Sequence, residues 1–434
     1  MIKNVISVID GVAGSSGKGK VIGEIVTDNN IKINAAITNC YPNAGHTVIH
    51  DKKRIFKNIP VSIINPNPDL FIGPGSIINL NDFVKEYEDN KDLLCGRKIY
   101  VHEMVPVILD EHIKIEKELI KSGSTFKGCG AAACDKTMRK STFFKGYKNA
   151  IVVSNEEWLG RLHEILEEEV GYVLMEGAQG CDLSINHSGN YPYTTSRNVS
   201  TTQMLADCGI PAERLLETIM VIRPFPIRIS NITDIGYINS GECGSGEELT
   251  WSHINYASII GTYPTVDIFN HLEIVMDAEY IRLIKSKLTD INLLQIFKNK
   301  PISLDKVSVL EMERMYFKNL GRKNYYSEFL SMEMHDLSEN TTVTMKERRI
   351  FDLDIEKLEL NCRLNAPYGL YLNFFQQLNY IYNQVSDNGK TVYFDRYIRE
   401  YMTWLEESTD TNILALGTGA KNNERILMKN LIKQ

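Results

Sequence analysis

Short β-branched runs alternate along this chain with segments whose apolar residues return at helical spacing. Val5 to Ile9 are β-branched apart from Ser7, as in a strand buried on both faces. A glycine-rich turn follows, and from Gly17 onward the spacing of Val21, Ile22, Ile25 and Val26 predicts a helix. A second strand is expected to end at Thr38, and His46–His50 and Arg54–Lys57 flank Asp51-Lys52-Lys53 as the arms of a hairpin. Ser154-Asn155-Glu156-Glu157 is a capping-box sequence, and the helix behind it puts Trp158, Leu162, Ile165 and Leu166 on one face. Gly171–Met175 reads as a buried strand that delivers Glu176-Gly177-Ala178-Gln179-Gly180 to a loop. Such alternation predicts an α/β fold, a single large domain over residues 1–434 with a central, mostly parallel sheet. Ligands of these sheets sit beyond the carboxyl ends of the strands, where both glycine-rich loops fall. Residues 240–340 differ in character: Gly241-Glu242-Cys243-Gly244-Ser245-Gly246 leads into charged helical patterns such as Ala278–Leu288, expected to form an inserted subdomain.

Composition narrows the class. Lys+Arg number 48 against Asp+Glu 55, a formal net charge of -7, which argues against a nucleic-acid coat. No segment is long and apolar enough to span a bilayer. The 8 cysteines are scattered without a CxxC pair, so reduced thiols in a cytoplasm are expected. The partners expected are small molecules, with no nucleic acid and no membrane.

The densest local signal is Gly11-Val12-Ala13-Gly14-Ser15-Ser16-Gly17-Lys18-Gly19-Lys20, a P-loop-like GxxGxxGKGK turn. Glycines let backbone N–H groups approach a phosphate, and the helix start adds a favourable dipole. Lys18 would then lie near the β/γ-phosphates. A Walker A loop would need glycine where Val12 stands and Ser or Thr where Gly19 stands.

This turn resembles the start of adenylosuccinate synthetases, and further landmarks of that family follow in order. Asn43-Ala44-Gly45-His46-Thr47 matches its NAGHT loop, and Glu176 to Gly180 its EGAQG. Ile59-Pro60, Ile72 to Gly75, Thr125 to Arg139, Tyr191 to Ser196, Thr342 to Arg349 and Gly417-Thr418-Gly419 resemble others. The resemblance implies a ligase that joins aspartate to C6 of a purine nucleotide after a nucleoside triphosphate phosphorylates O6, with Mg2+ as cofactor.

Carried over residue by residue, the resemblance assigns catalysis to Ser15, Lys18 and His46. His46 would bind the transferring phosphate or polarise O6, or else only order its loop. The phosphoryl donor would meet Ser16, Gly17, Lys18, Gly19, Lys20, Asn43, Gln376, Gly417, Thr418 and Gly419. The purine monophosphate would meet Ser15, Asn39, Thr125, Arg139, Gln179 and Thr195. Arg139 comes from the other subunit in the family, which implies a homodimer. Aspartate would meet Thr342, Val343, Thr344 and Arg348. Magnesium would take Ser15 and the backbone carbonyl of Tyr41.

Two departures from the family pattern stand out. Its loop GDEGKGK has an aspartate as the base for N1, where this chain has Ser15. A guanine substrate carries a 2-amino group beside N1, and a hydroxyl there makes room for it. The family reads guanine of GTP with an aspartate in a KLD segment, where this chain has Phe374-Phe375-Gln376. A glutamine amide suits adenine better, and one of the two phenylalanines is expected in the core. Both departures point to the phage branch of the family, which acts on dGMP, with ATP or dATP as donor and the host cytoplasm as its place. An ordinary synthetase acting on IMP with GTP, and an inactive nucleotide-binding relative, are the alternatives.

Overall fold

The computed structural model describes residues 2–119, 124–233, 236–244, 246–249, 251, 254, 257–258, 337–339, 347–386 and 392–432. Most of 240–340, expected as an insertion, lies outside the described residues, as do Thr342, Val343 and Thr344.

Ten strands form one sheet. They are β1 (Val5–Asp10), β2 (Ile33–Thr38), β3 (Asp69–Ile72), β4 (Ile99–His102), β5 (Ala150–Val153), β6 (Tyr172–Glu176), β7 (Leu215–Ile222), β8 (Gly369–Leu372), β9 (Ile413–Gly417) and β10 (Arg425–Leu427). Their spatial order is β10-β9-β8-β7-β1-β6-β2-β3-β4-β5, parallel throughout except for the edge pair β9–β10. The mostly parallel sheet predicted from the alternation is therefore what forms. A separate antiparallel hairpin pairs His46–Ile49 with Lys53–Phe56; the first arm stops one residue before the expected His50, and the second starts and ends one residue earlier than the expected Arg54–Lys57.

Successive residues of β1 feed two cores, as a strand covered on both faces must. Val5 and Ile9 pack with Trp158, Leu162, Met204, Leu205, Leu358 and Leu405. Ile6 and Val8 pack on the opposite side with Val21, Ile22, Ile25, Val26 and Phe83. The helices that supply these residues are α1 (Lys18–Thr27), α2 (Leu80–Asn90), α5 (Asn155–Leu166), α6 (Thr201–Cys208), α7 (Ile355–Asn365) and α8 (Arg396–Thr409); α3 (Asp110–Leu119) and α4 (Cys129–Thr137) pack on each other, and Cys129 and Ala132 of α4 join a smaller cluster with Tyr41, Ile77 and Ile108. On α5 the buried residues are Trp158, Leu162, Ile165 and Leu166, the face read from the sequence, and Ser154 caps the helix through the Glu157 N–H at 3.1 Å.

The caps separate two kinds of helix. Asn79, Ser154, Ser200, Asp354 and Asp395 each accept a first-turn N–H of α2, α5, α6, α7 and α8. α1 begins instead on Gly17 (φ 83°) and α4 on Gly128 (φ 81°), without a side-chain cap. Their first N–H groups are left for something other than their own cap.

Candidate functional site

The turn after β1 is wound around a carboxylate. Asp10, fully buried, accepts the N–H groups of Val12 (3.1 Å), Gly14 (3.2 Å) and Ser16 (3.1 Å) and the Lys18 ammonium (3.1 Å). Lys18 Nζ also donates to the Gln179 carbonyl at 2.8 Å. An ammonium has three donors, so these two bonds leave one for a ligand. Gln179, held at φ 66°, donates Nε2 to Asn43 Oδ1 at 2.8 Å. The glycine turn, the NAGHT segment and the EGAQG segment thus meet through Lys18, Gln179 and Asn43.

Close backbone approach explains several glycines. A Cβ on Gly180 would strike the Gly14 nitrogen and the Val12 carbonyl, so this close approach of the two loops requires a glycine there. A Cβ on Gly17 or on Gly417 would collide with the Asn373 amide, which itself donates to the Ser16 carbonyl at 3.0 Å. The ends of β1, β8 and β9 converge on this one side chain. Thr418 is buried beside it, and its hydroxyl donates to the Val385 carbonyl. Gly19 lacks a side chain because α1 packs on the hairpin, where a Cβ would meet the Thr47 carbonyl at 2.5 Å.

Lys20, expected on the nucleotide, is built into the scaffold instead. Its ammonium lies against Glu24 (3.1 Å), the Tyr371 hydroxyl (3.1 Å) and the Glu424 carbonyl (2.9 Å), and burial lowers its pKa. Three partners satisfy all three of its donors. Phe375 is fully buried against Tyr382, at 5.0 Å between ring centroids, so it is the core aromatic of the pair. Phe374 is half-buried and carries the Arg223 guanidinium 4.1 Å over its ring.

Ser15 is exposed at the tip of the turn, at φ 58°. Two arginines flank it. Arg348 Nη1 donates to Ser15 Oγ at 2.6 Å, and Arg223 Nη1 donates to the Ser15 carbonyl at 3.1 Å. Arg223 is fully buried and forms a two-point ion pair with Glu339. The Glu339 carbonyl in turn accepts the Arg348 N–H at 2.8 Å. Arg348 was expected on aspartate; its guanidinium is described here against Ser15, among other contacts of the residue. Arg223, Glu339, Asp10 and Asn373 were not singled out from the sequence. For Arg223 a signal existed: a charged residue directly after the apolar strand β7, at the carboxyl end of a parallel sheet.

His46 lines a small pocket with Thr38, Tyr41, Ala44 and Ala178. Burial and then the Lys18 charge push its pKa down to about 3, so the imidazole is neutral near pH 7. Among the remaining expected residues, Asn39 and Thr195 are buried, whereas Thr125 and Arg139 are exposed before and after α4.

Magnesium finds no ready-made nest. Ser15 Oγ already accepts from Arg348, and the Tyr41 carbonyl accepts the Ala44 N–H at 2.9 Å. Among the described residues no three His, Cys, Asp or Glu groups come together as metal ligands. Each of the two oxygens assigned to the ion keeps a second lone pair beside these bonds, but two oxygens alone do not make a resident magnesium site.

Buried polar atoms without a partner are uncommon in folded proteins. Those among the described residues include Ser16 Oγ, Asn39 Oδ1, Gln179 Oε1, Thr195 Oγ1 and Gln376 Oε1, all on residues assigned to nucleotide binding from the sequence.

Comparison with known proteins bears on this arrangement. The family profile described as adenylosuccinate synthetase matches residues 8–169 and 144–233. An N6-succino-2-amino-2'-deoxyadenylate synthase of Vibrio phage phiVC8 is 36% identical over 269 residues, 58% of this chain and 74% of that protein. An adenylosuccinate synthetase of Methanococcus maripaludis is 30% identical over 272 residues, 61% of this chain and 77% of that protein. Among solved structures, cyanophage S-2L succinoaminodeoxyadenylate synthetase bound to dGMP and dATP superposes with a TM-score of 0.65 at 22% identity, covering 98% of this chain and 96% of that one. At that identity the likeness establishes the fold.

Proposed function

This chain belongs to the adenylosuccinate synthetase family of ligases, which make succinyl-purine nucleotides, and on that footing we propose that it joins L-aspartate to C6 of dGMP. ATP or dATP drives the reaction by phosphorylating O6, and the product is N6-succinyl-2-amino-2'-deoxyadenylate. The observation that carries this reading is Ser15: a small, exposed hydroxyl at the tip of the turn where the family has a carboxylate. A carboxylate there would crowd the 2-amino group of guanine; the hydroxyl leaves room and keeps an acceptor for one of its hydrogens. Gln376 supports the donor half of the reading, because its unpartnered Oε1 suits the amino group of adenine. The phage relative and the phage structure with dGMP and dATP lean the same way.

Ser16, Lys18, Asn43 and the open N-terminus of α1 would hold the donor phosphates. Asn39, Gln179 and Thr195 would hold the purine nucleotide through their unpartnered atoms, with Thr125 and Arg139 completing the pocket, Arg139 from the partner subunit of a homodimer. Thr342, Val343, Thr344 and Arg348 would receive aspartate. The family uses Mg2+, and here the ion would arrive on the triphosphate, whose oxygens and waters supply most magnesium ligands in such sites. The single domain with an insertion at 240–340 belongs to the same reading. No described helix is long and apolar enough to cross a membrane.

The test is direct. Purified protein with Mg2+ and aspartate is given dGMP, GMP or IMP, each with ATP, dATP or GTP, and phosphate and succinyl-nucleotide are measured. Product from dGMP with ATP or dATP is expected. Turnover of IMP with GTP alone would overturn the reading, and no turnover in any combination would favour an inactive relative.

A further inference from the structure

We infer that Asp10 is a positioning residue for phosphoryl transfer: it fills the anion nest of the glycine turn from within and holds Lys18 in place, so that the donor phosphates are confined to the N-terminus of α1. This rests on the ligase reading above.

The turn after β1 curls because Gly14 (φ 90°), Ser15 (φ 58°) and Gly17 (φ 83°) sit in the left-handed region. Turns of this kind gather backbone N–H groups into a concavity for an anion. In a P-loop that anion is a phosphate. Here it is the chain's own carboxylate. Asp10 Oδ1 accepts the Val12 and Gly14 N–H groups, and Oδ2 accepts the Ser16 N–H and the Lys18 ammonium. A carboxylate offers about four lone-pair sites, so Asp10 is filled. It is closed to solvent and has no site left for a substrate proton or a metal ion. The N–H groups of residues 12, 14 and 16 are equally spent. What stays open toward a triphosphate is the first turn of α1, which has no side-chain cap.

Lys18 takes its aim from the same carboxylate. Its side chain is buried, and two of its three donors are spent on Asp10 and on the Gln179 carbonyl. Two anchors fix the direction of the third donor. Without Asp10 one anchor remains. A displacement on the order of 1 Å in a group that meets the reacting phosphate can cost about 100-fold in rate. In that step O6 of the purine bonds to the γ-phosphorus, the bond from that phosphorus to the β,γ-bridging oxygen breaks, the N1 proton passes to water, and the nucleoside diphosphate leaves.

Two measurements separate positioning from fold. The first omits aspartate and follows oxygen-18 scrambling between bridge and non-bridge positions of the β-phosphate of ATP, with Mg2+ and dGMP, which reports the phosphoryl step alone. Asp10→Asn should slow scrambling about 100-fold at saturating substrates and change the KM for dGMP less than about threefold. The second is calorimetric binding of β,γ-imido-ATP with Mg2+, which needs no turnover. Asp10→Asn should weaken it about tenfold in the wild-type chain and less than about twofold in Lys18→Met, because Asp10 acts through the lysine. An equal loss in both backgrounds, or none in either, overturns the inference, as does a wild-type scrambling rate in Asp10→Asn. A complex that places a phosphate oxygen on the Val12, Gly14 or Ser16 N–H overturns it too. Asp10→Glu keeps the charge and shifts the carboxylate by one methylene. It is the second variant where Asp10→Asn does not melt cooperatively; it should also slow scrambling, and a wild-type rate in it overturns the inference. Wild-type scrambling with IMP but never with dGMP removes the substrate reading alone, and the imido-ATP measurement still decides the role of Asp10.

Discussion

Position 376 stands one residue beyond a core aromatic, and its side chain offers an amide where a carboxylate would accept two N–H groups from guanine. Gln376 Oε1 has no partner among the described residues, while Phe375 behind it is locked into the core and fixes the short turn that presents the glutamine. Gln376→Asp should therefore move the donor preference from ATP toward GTP. The ratio of kcat/KM for the two triphosphates is expected to fall about tenfold or more, the scale of one mismatched buried hydrogen-bonding group. An unchanged ratio would show that another group reads the base. Residue chemistry of this kind was legible in the sequence, because a changed side chain at a recognised motif carries its hydrogen-bonding pattern with it. What Arg348 touches was not, since a contact across 333 positions depends on how distant segments return to the sheet.

At the scale of elements, Glu176 ends β6 and clamps the short turn Val61–Ile64. Its carboxyl accepts the Val61 N–H at 2.7 Å, the Ser62 N–H at 2.9 Å and the Ser62 hydroxyl at 2.6 Å. Burial outweighs these donors and raises its pKa to about 7. A carboxyl whose folded pKa lies above its unfolded value binds its proton more tightly when folded. Its stabilising effect is complete below the unfolded pKa near 4.5 and is lost as pH rises through 7. Glu176→Gln cannot titrate, so it should lack this decline. Relative to wild type it should gain on the order of 3 kcal/mol between pH 4.5 and pH 8, read from denaturant unfolding at several pH values. A pH-independent difference would mean that Glu176 is charged throughout. The strands, the hairpin and the buried face of α5 were readable because period and capping are local. The scaffold role of Lys20 was hidden, because its partners Tyr371 and Glu424 lie on β8 and just before β10, 351 and 404 residues away.

At the scale of the molecule, the exposed Arg139 sits past the end of α4, a helix whose start is held by Glu116 through the Gly128 N–H at 2.7 Å and the Gly130 N–H at 2.6 Å. If the arginine completes the site of a second copy, two defective chains can repair each other. Lys18→Ala and Arg139→Ala should each be nearly inactive alone. Mixed, unfolded and refolded together at equal amounts, they should recover about a quarter of wild-type activity, since half of random dimers are hybrid and each hybrid holds one intact site. No recovery would place Arg139 in its own subunit's site or on free surface. The sheet and its order follow from alternation of elements, but how copies associate leaves no periodic trace in a single sequence.

The Asn373 amide has a consequence of its own. It leads the turn that ends in Gln376, and it is hydrogen-bonded to the residue next to Ser15. Any backbone adjustment that accommodates a new donor base is relayed through that bond to the tip that meets the acceptor base. The two preferences are then epistatic: a lineage that changes one must retune the other, and a donor turn grafted from a distant relative would work only together with its own glycine turn.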